Sequence, residues 1–138
     1  MAANTSPISP IAPATSWGPT GLTAANTALD GTGTVETIHT AGANGSRVNR
    51  VRVVHKGTNI ATVLRIFVNN GATNATPANN TLVAEETIAA CTISQVAKSV
   101  PYDINISVIL KPAYKLNYTI GTAVAAGHAV TVPDGGDY

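Results

Sequence analysis

Apolar and polar positions alternate most regularly between Arg47 and Gly71, RVNRVRVVHKGTNIATVLRIFVNNG. Val51 and Val53 share one face, and Arg50 and Arg52 point the other way. Further on, Leu64, Ile66 and Val68 alternate with Arg65, Phe67 and Asn69. A period of two is the mark of a pleated strand with one face on a core and one toward water. The pattern predicts two strands joined as a central hairpin by a turn at Lys56-Gly57-Thr58-Asn59. A second alternation follows at Tyr102, Ile104, Ile106 and Val108, then Tyr114, Leu116, Tyr118 and Ile120 after a turn at Lys111-Pro112-Ala113. It predicts a second core hairpin, with the three tyrosines in the apolar phase.

Shorter signals fill the rest. Gly21 to Ala28 reads as a weak first strand, and Thr34 to Thr40 as another, returned into the Arg47 strand by Asn44-Gly45, a favoured hairpin dipeptide. Ala72 to Asn80 (ATNATPANN) reads as an exposed loop, Thr81 to Ile88 as a strand, and Val96 to Val100 as a weak strand or crossover ended by Pro101. His128 to Val132 is a last strand, followed by a tail, PDGGDY. Short strands, regularly spaced turns and the lack of any helical period predict an all-β fold. It is an antiparallel β-sandwich or jelly roll of about eight strands. In residues 1–20, Pro7, Pro10 and Pro13 recur every third position, which favours extended polyproline II. The expected organisation is therefore an extended Pro-rich N-terminal arm, 1–20, and a sandwich domain, 21–138. Ile8, Ile11 and Trp17, the only tryptophan, are the arm residues suited to contact a neighbour.

Composition narrows the function classes. The 138 residues suit one domain. Charged residues are 11% and the formal net charge is +1, so the surface is polar but weakly charged. Long-range attraction to nucleic acid is not expected, and no aromatic residues interleave with the arginines to stack bases. Arg47, Arg50, Arg52 and Arg65 gather in the central stretch, as a solvated strand face or an attachment patch for an acidic protein surface. The lone Cys91 lies in an apolar run and permits no internal disulfide, so folding in a reducing cytoplasm is expected. Neither a signal peptide nor an apolar run of membrane-spanning length is visible, and no membrane is expected as a partner.

Candidate chemistry is sparse. His39, His55 and His128 fall on three separate strands, without the short spacing of a metal-binding pair. There is no Gly-x-Ser-x-Gly elbow, and Gly31 and Gly33 in DGTGT lack the helix of a phosphate loop. Asp134 and Asp137 read as a solvated acidic end. The expectation is a non-enzymatic protein without cofactor or metal. Sugar binding is the rival reading, because sandwich domains often do it; Trp17 and Tyr138 are its free aromatic candidates.

The succession TVETIHTAGANGSRVNRVRVVHKGTNIATVLRIFVNNG, then an apolar strand pair, then a C-terminal GGDY resembles the jelly-roll decoration, or cement, proteins of tailed bacteriophages. The resemblance covers about residues 30–138. It implies a homotrimer on the outer capsid surface of a virion, bridging neighbouring major capsid protein subunits and resisting the pressure of packaged DNA. It carries over no individual contact residues.

Overall fold

The computed structural model describes Pro10 and residues 12–138. Two antiparallel sheets face each other. The first has the order β1 (Ala12–Pro13), β9 (His128–Asp137), β4 (Ser46–His55), β7 (Tyr102–Leu110), with β2 (Ser16–Trp17) also pairing β9. The second has the order β3 (Glu36–Thr40), β8 (Lys115–Ile120), β5 (Thr62–Asn69), β6 (Asn80–Ile88). Counted as one interrupted strand, β1 and β2 complete an eight-stranded jelly roll, the double Greek key in which successive strands pass between two sheets.

The alternating positions do what their period requires. Val48, Val51 and Val53 from β4 meet Leu64 and Ile66 from β5, Ile104 from β7, Leu116, Tyr118 and Ile120 from β8, and Val130 and Val132 from β9 in one core. Tyr102 and Tyr114 pack against its margin. Phe67 departs from the pattern. It pairs with Asn117 on the outer side of the second sheet, yet is buried, because the loop through Gly31 lies over it. Asn26 shapes that loop by donating from Nδ2 to the carbonyls of Thr32 and Thr34, both at 2.8 Å.

Pairing departs further from expectation. The stretch 47–71 is not a hairpin: β4 lies in the first sheet and β5 in the second. The same holds for β7 and β8, and for β3 and β4 across Asn44-Gly45. Within a sandwich, periodicity says which face of a strand is apolar, and both sheets offer the same apolar interior. The turn then decides between pairing beside and crossing over. Gly45 adopts φ 88°, and a Cβ there would stand 2.5 Å from the Leu110 carbonyl oxygen, so its role is to let the arch pass close to the end of β7. Of the strand pairs joined by a single connection, β5 and β6 form a hairpin, closed by the 70–79 loop with a 3-10 turn at Pro77–Asn79. Asn80 ties that loop down by donating from Nδ2 to the carbonyls of Asp30 (3.1 Å) and Asn74 (3.0 Å).

Three smaller expectations change. Gly21 to Ala28 and Val96 to Val100 are not strands. All of the PDGGDY tail but Tyr138 belongs to β9, which runs ten residues between β4 and the arm. Pro133 has no N–H to give the ladder, and it falls where the β4 register shifts and where the arm breaks between β1 and β2. The described part of the arm is thus built into the first sheet.

Candidate functional site

Strand addition along β9 fixes the arm. Ala12 and Pro13 pair with Asp137 and Gly136, and Ser16 and Trp17 with Val132 and Thr131. The Trp17 side chain stands 62% exposed, so the pairing holds its indole outward. Register then sets a row across the outer face of the first sheet: Trp17 beside Thr131, Thr131 beside Arg52, Arg52 beside Asp103. Ile8 and Ile11, the other arm residues singled out by the sequence, lie outside the described residues.

The four arginines divide. Arg47, Arg50 and Arg52 lie on β4, whereas Arg65 lies on β5 in the opposite sheet. Arg52 grips Asp103 with two bonds, Nε to Oδ1 at 2.8 Å and Nη2 to Oδ2 at 2.9 Å, and Arg50 Nη1 stands 3.5 Å from the same carboxylate. The Arg52 bond holds the Asp103 carboxyl below its usual range and raises the guanidinium in turn. Arg47 Nε donates to Asn49 Oδ1 at 3.0 Å, and Asn49 Nδ2 to Asp134 Oδ1 at 3.1 Å. On the other side Arg65 Nε donates to Glu85 Oε1 at 2.6 Å. On the β4 face, three arginines thus stand among two carboxylates, Arg50 and Arg52 directly on Asp103 and Arg47 linked to Asp134 through the Asn49 amide.

A buried carboxylate anchors the junction of arm and sandwich. Glu36 opens β3 and accepts from the Thr20 hydroxyl and N–H, from the Gly21 N–H (3.0 Å to Oε1), and from the Tyr118 hydroxyl (2.9 Å). The Leu22 N–H donates to the same Tyr118 oxygen at 2.9 Å. Burial pushes the Glu36 carboxyl up, but the donors from Thr20, Gly21 and Tyr118 outweigh it and hold it below its ordinary value. Burial chiefly, and the Glu36 charge beside it, raise the Tyr118 hydroxyl well above its ordinary value. Nothing local in the sequence signals this site, since Tyr118 lies 82 residues from Glu36.

Two of the three histidines meet. His55 and His128 are cross-strand partners with ring centroids 4.9 Å apart. His39 is elsewhere, buried between the arm and β9. The Ser16 hydroxyl and its Nδ1 share a hydrogen bond of 2.9 Å, and its Nε2 faces Asp137 Oδ1 at 3.7 Å. Asp137, expected to be solvated, also accepts from the Ser46 hydroxyl and from the Gly42 N–H at 3.2 Å. Ser16, His39 and Asp137 thus fall in the order of a hydrolytic triad. Nucleophilic chemistry needs substrate access as well as order, and His39 is only 5% exposed. An open hollow of about 570 Å³, lined by Thr58, Ile60, Ala90, Cys91, Ala123 and Ala125, lies near the other end of β9. As arranged, the three side chains tie the arm to both sheets.

Among the described residues no group of three or more metal-ligating side chains converges, and no helix is long and apolar enough to cross a membrane. No protein-family model, curated protein or solved structure matches the chain.

Proposed function

We propose that the chain is a non-enzymatic virion structural protein. It decorates the outer surface of a phage capsid and stabilises it by bridging neighbouring major capsid protein subunits as a homotrimer. The observation that carries this reading is the distribution of unburied apolar side chains. Trp17, Leu29, Ile60, Val96, Val100 and Ile109 are each at least 58% exposed, on a chain with only 11% charged residues. Exposed apolar side chains with so little charge around them suit a surface that other proteins cover, since charge repulsion does little to keep such a surface free. Jelly rolls recur in viral capsids and lectins, which agrees with the reading without deciding it. Many copies on one shell let each contact be modest.

Light scattering on the purified protein should give a mass near three times 14.0 kDa, and the protein should bind undecorated heads. Because residues 12–21 are part of the sheet and its anchor, the informative truncation removes residues 1–9 alone. That truncation and Trp17→Ala should each weaken head binding while leaving the unfolding temperature unchanged. Full binding by both variants would remove the arm from the attachment site.

A glycan-binding module is the second reading. It is favoured by the exposed indole of Trp17 standing in one row with Thr131, Arg52 and Asp103, an aromatic platform beside hydrogen-bonding groups. Glycan-array binding that disappears in Trp17→Ala would select it.

A further inference from the structure

His55 closes β4 and His128 opens β9, directly opposite each other. Both are buried, in phase with the inward-facing Val51 and Val53 on one strand and Val130 and Val132 on the other. Tyr102 from β7 meets the His55 ring edge-on, centroids 6.3 Å apart. Among the described residues, His55 Nδ1 and both ring nitrogens of His128 have no hydrogen-bond partner. A neutral imidazole offers one donor and one acceptor, and leaving such groups unpaired in a core is destabilising. No third metal-ligating side chain stands beside them among the described residues, and each ring can take up a proton.

The pair lies beneath the junction of arm and sandwich. A Cβ on Gly21 would meet the His128 carbonyl oxygen at 2.8 Å, and one on Gly127 would meet the Gly21 and Leu22 carbonyls at 3.1 and 3.2 Å. Lys56, next to His55, donates from Nζ to the Thr20 carbonyl at 2.8 Å. Residues 20–22 therefore rest on the backbone that carries the two rings.

We propose that the His55–His128 pair is an acid-sensitive latch, whose protonation drives the rings out of the core, lifts residues 20–22 and uncouples the arm from the sandwich. The titratable and charged groups around the pair are few. Lys56 adds positive charge from the turn after β4, and Tyr102 presents a ring edge from β7. Glu36 and Tyr118, from β3 and β8, are engaged with residues 20–22. Within β9, positions 129–132 carry no titratable side chain. Burial, then the neighbouring His55, pushes His128 down to about 4, and burial lowers His55. Between the ordinary value of 6.5 and about 4 the opened state binds more protons than the closed one, so acid favours opening in that window.

Trp17 is the only tryptophan, so its emission reads the arm while far-ultraviolet circular dichroism reads the sandwich. On acidification of the whole chain, Trp17 emission should change with a midpoint between pH 6.5 and 4 while the β signal persists. His128→Phe, or His55→Phe where the first does not fold, should move that midpoint down by about one pH unit or more. Glu36→Gln, which removes the carboxylate that holds Thr20 and Gly21, should keep the histidine step, and so should His39→Gln, which removes the titratable tie at Ser16. Flat emission down to pH 4, a midpoint unmoved in the histidine variant, or simultaneous loss of emission and β signal would overturn the latch.

Discussion

Glu36 is the residue on which the N-terminal junction depends, and its chemistry sets a pH dependence of its own. Its carboxyl is more acidic folded than unfolded, so its contribution is present above the ordinary carboxylate range and lost as pH falls through the lowered folded value. Glu36→Gln leaves the Thr20 and Gly21 N–H groups with a neutral acceptor and should destabilise the fold by about 2 kcal/mol at pH 7, measured by urea denaturation. The deficit should shrink in acid, where the wild-type carboxyl is neutral too. His128 acts in the opposite chemical sense but the same direction of pH. Full protonation of a ring with a folded value near 4 against 6.5 unfolded removes on the order of 3 kcal/mol. Which residues are apolar and inward was legible from spacing, as Val51, Val53, Leu64, Ile66 and Tyr118 attest. Glu36 was not. A carboxylate in ETIHT looks like any solvated strand residue until Thr20 and Tyr118 are placed around it.

At the level of elements, strands were easier to read than their partners. The alternations at 47–55 and 62–69 mark β4 and β5, but nothing in them tells a crossing turn from a hairpin turn, because either leaves the apolar phase facing one shared interior. The 133–138 stretch hides its strand for a different reason. Pro, Asp and two glycines are poor strand formers, and β9 persists there because β4 and the arm pair with it from both sides. Two changes test this architecture. Gly45→Ala meets both a positive φ and the Leu110 carbonyl, and should lower stability by about 2 kcal/mol or more in thermal unfolding. Asp137→Ala removes the acceptor shared by Ser46 and Gly42, and should cost about 2 kcal/mol.

For the whole molecule, the two long seams of the sandwich differ. On the β9 side, β1, β2 and the Ser16–His39–Asp137 tie close the gap between sheets. On the other side β6 and β7 are both edge strands, and Leu82 and Ile109 are 40% and 70% exposed there. An open edge with apolar side chains is a surface proteins ordinarily protect. Ile109→Lys should leave the unfolding free energy within about 0.5 kcal/mol of wild type. If this edge contributes to assembly, the same variant should lower the mass seen by light scattering or the occupancy on heads.

The position of β9 between β4 and the arm has a kinetic consequence. Of the described strands it is the last to be synthesised, and it supplies the partner for the first ones made, so the first sheet has a gap at its centre until translation has passed Asp137. Until then β1 and β2 have no strand to join and β4 keeps one bare edge. β4 and β7 can pair at once, but β1, β2 and the other edge of β4 wait for a segment made after every other described strand, and closing such loops is slow. The nascent protein should therefore stay sensitive to protease until β9 has emerged from the ribosome, and become resistant in a single late step after that.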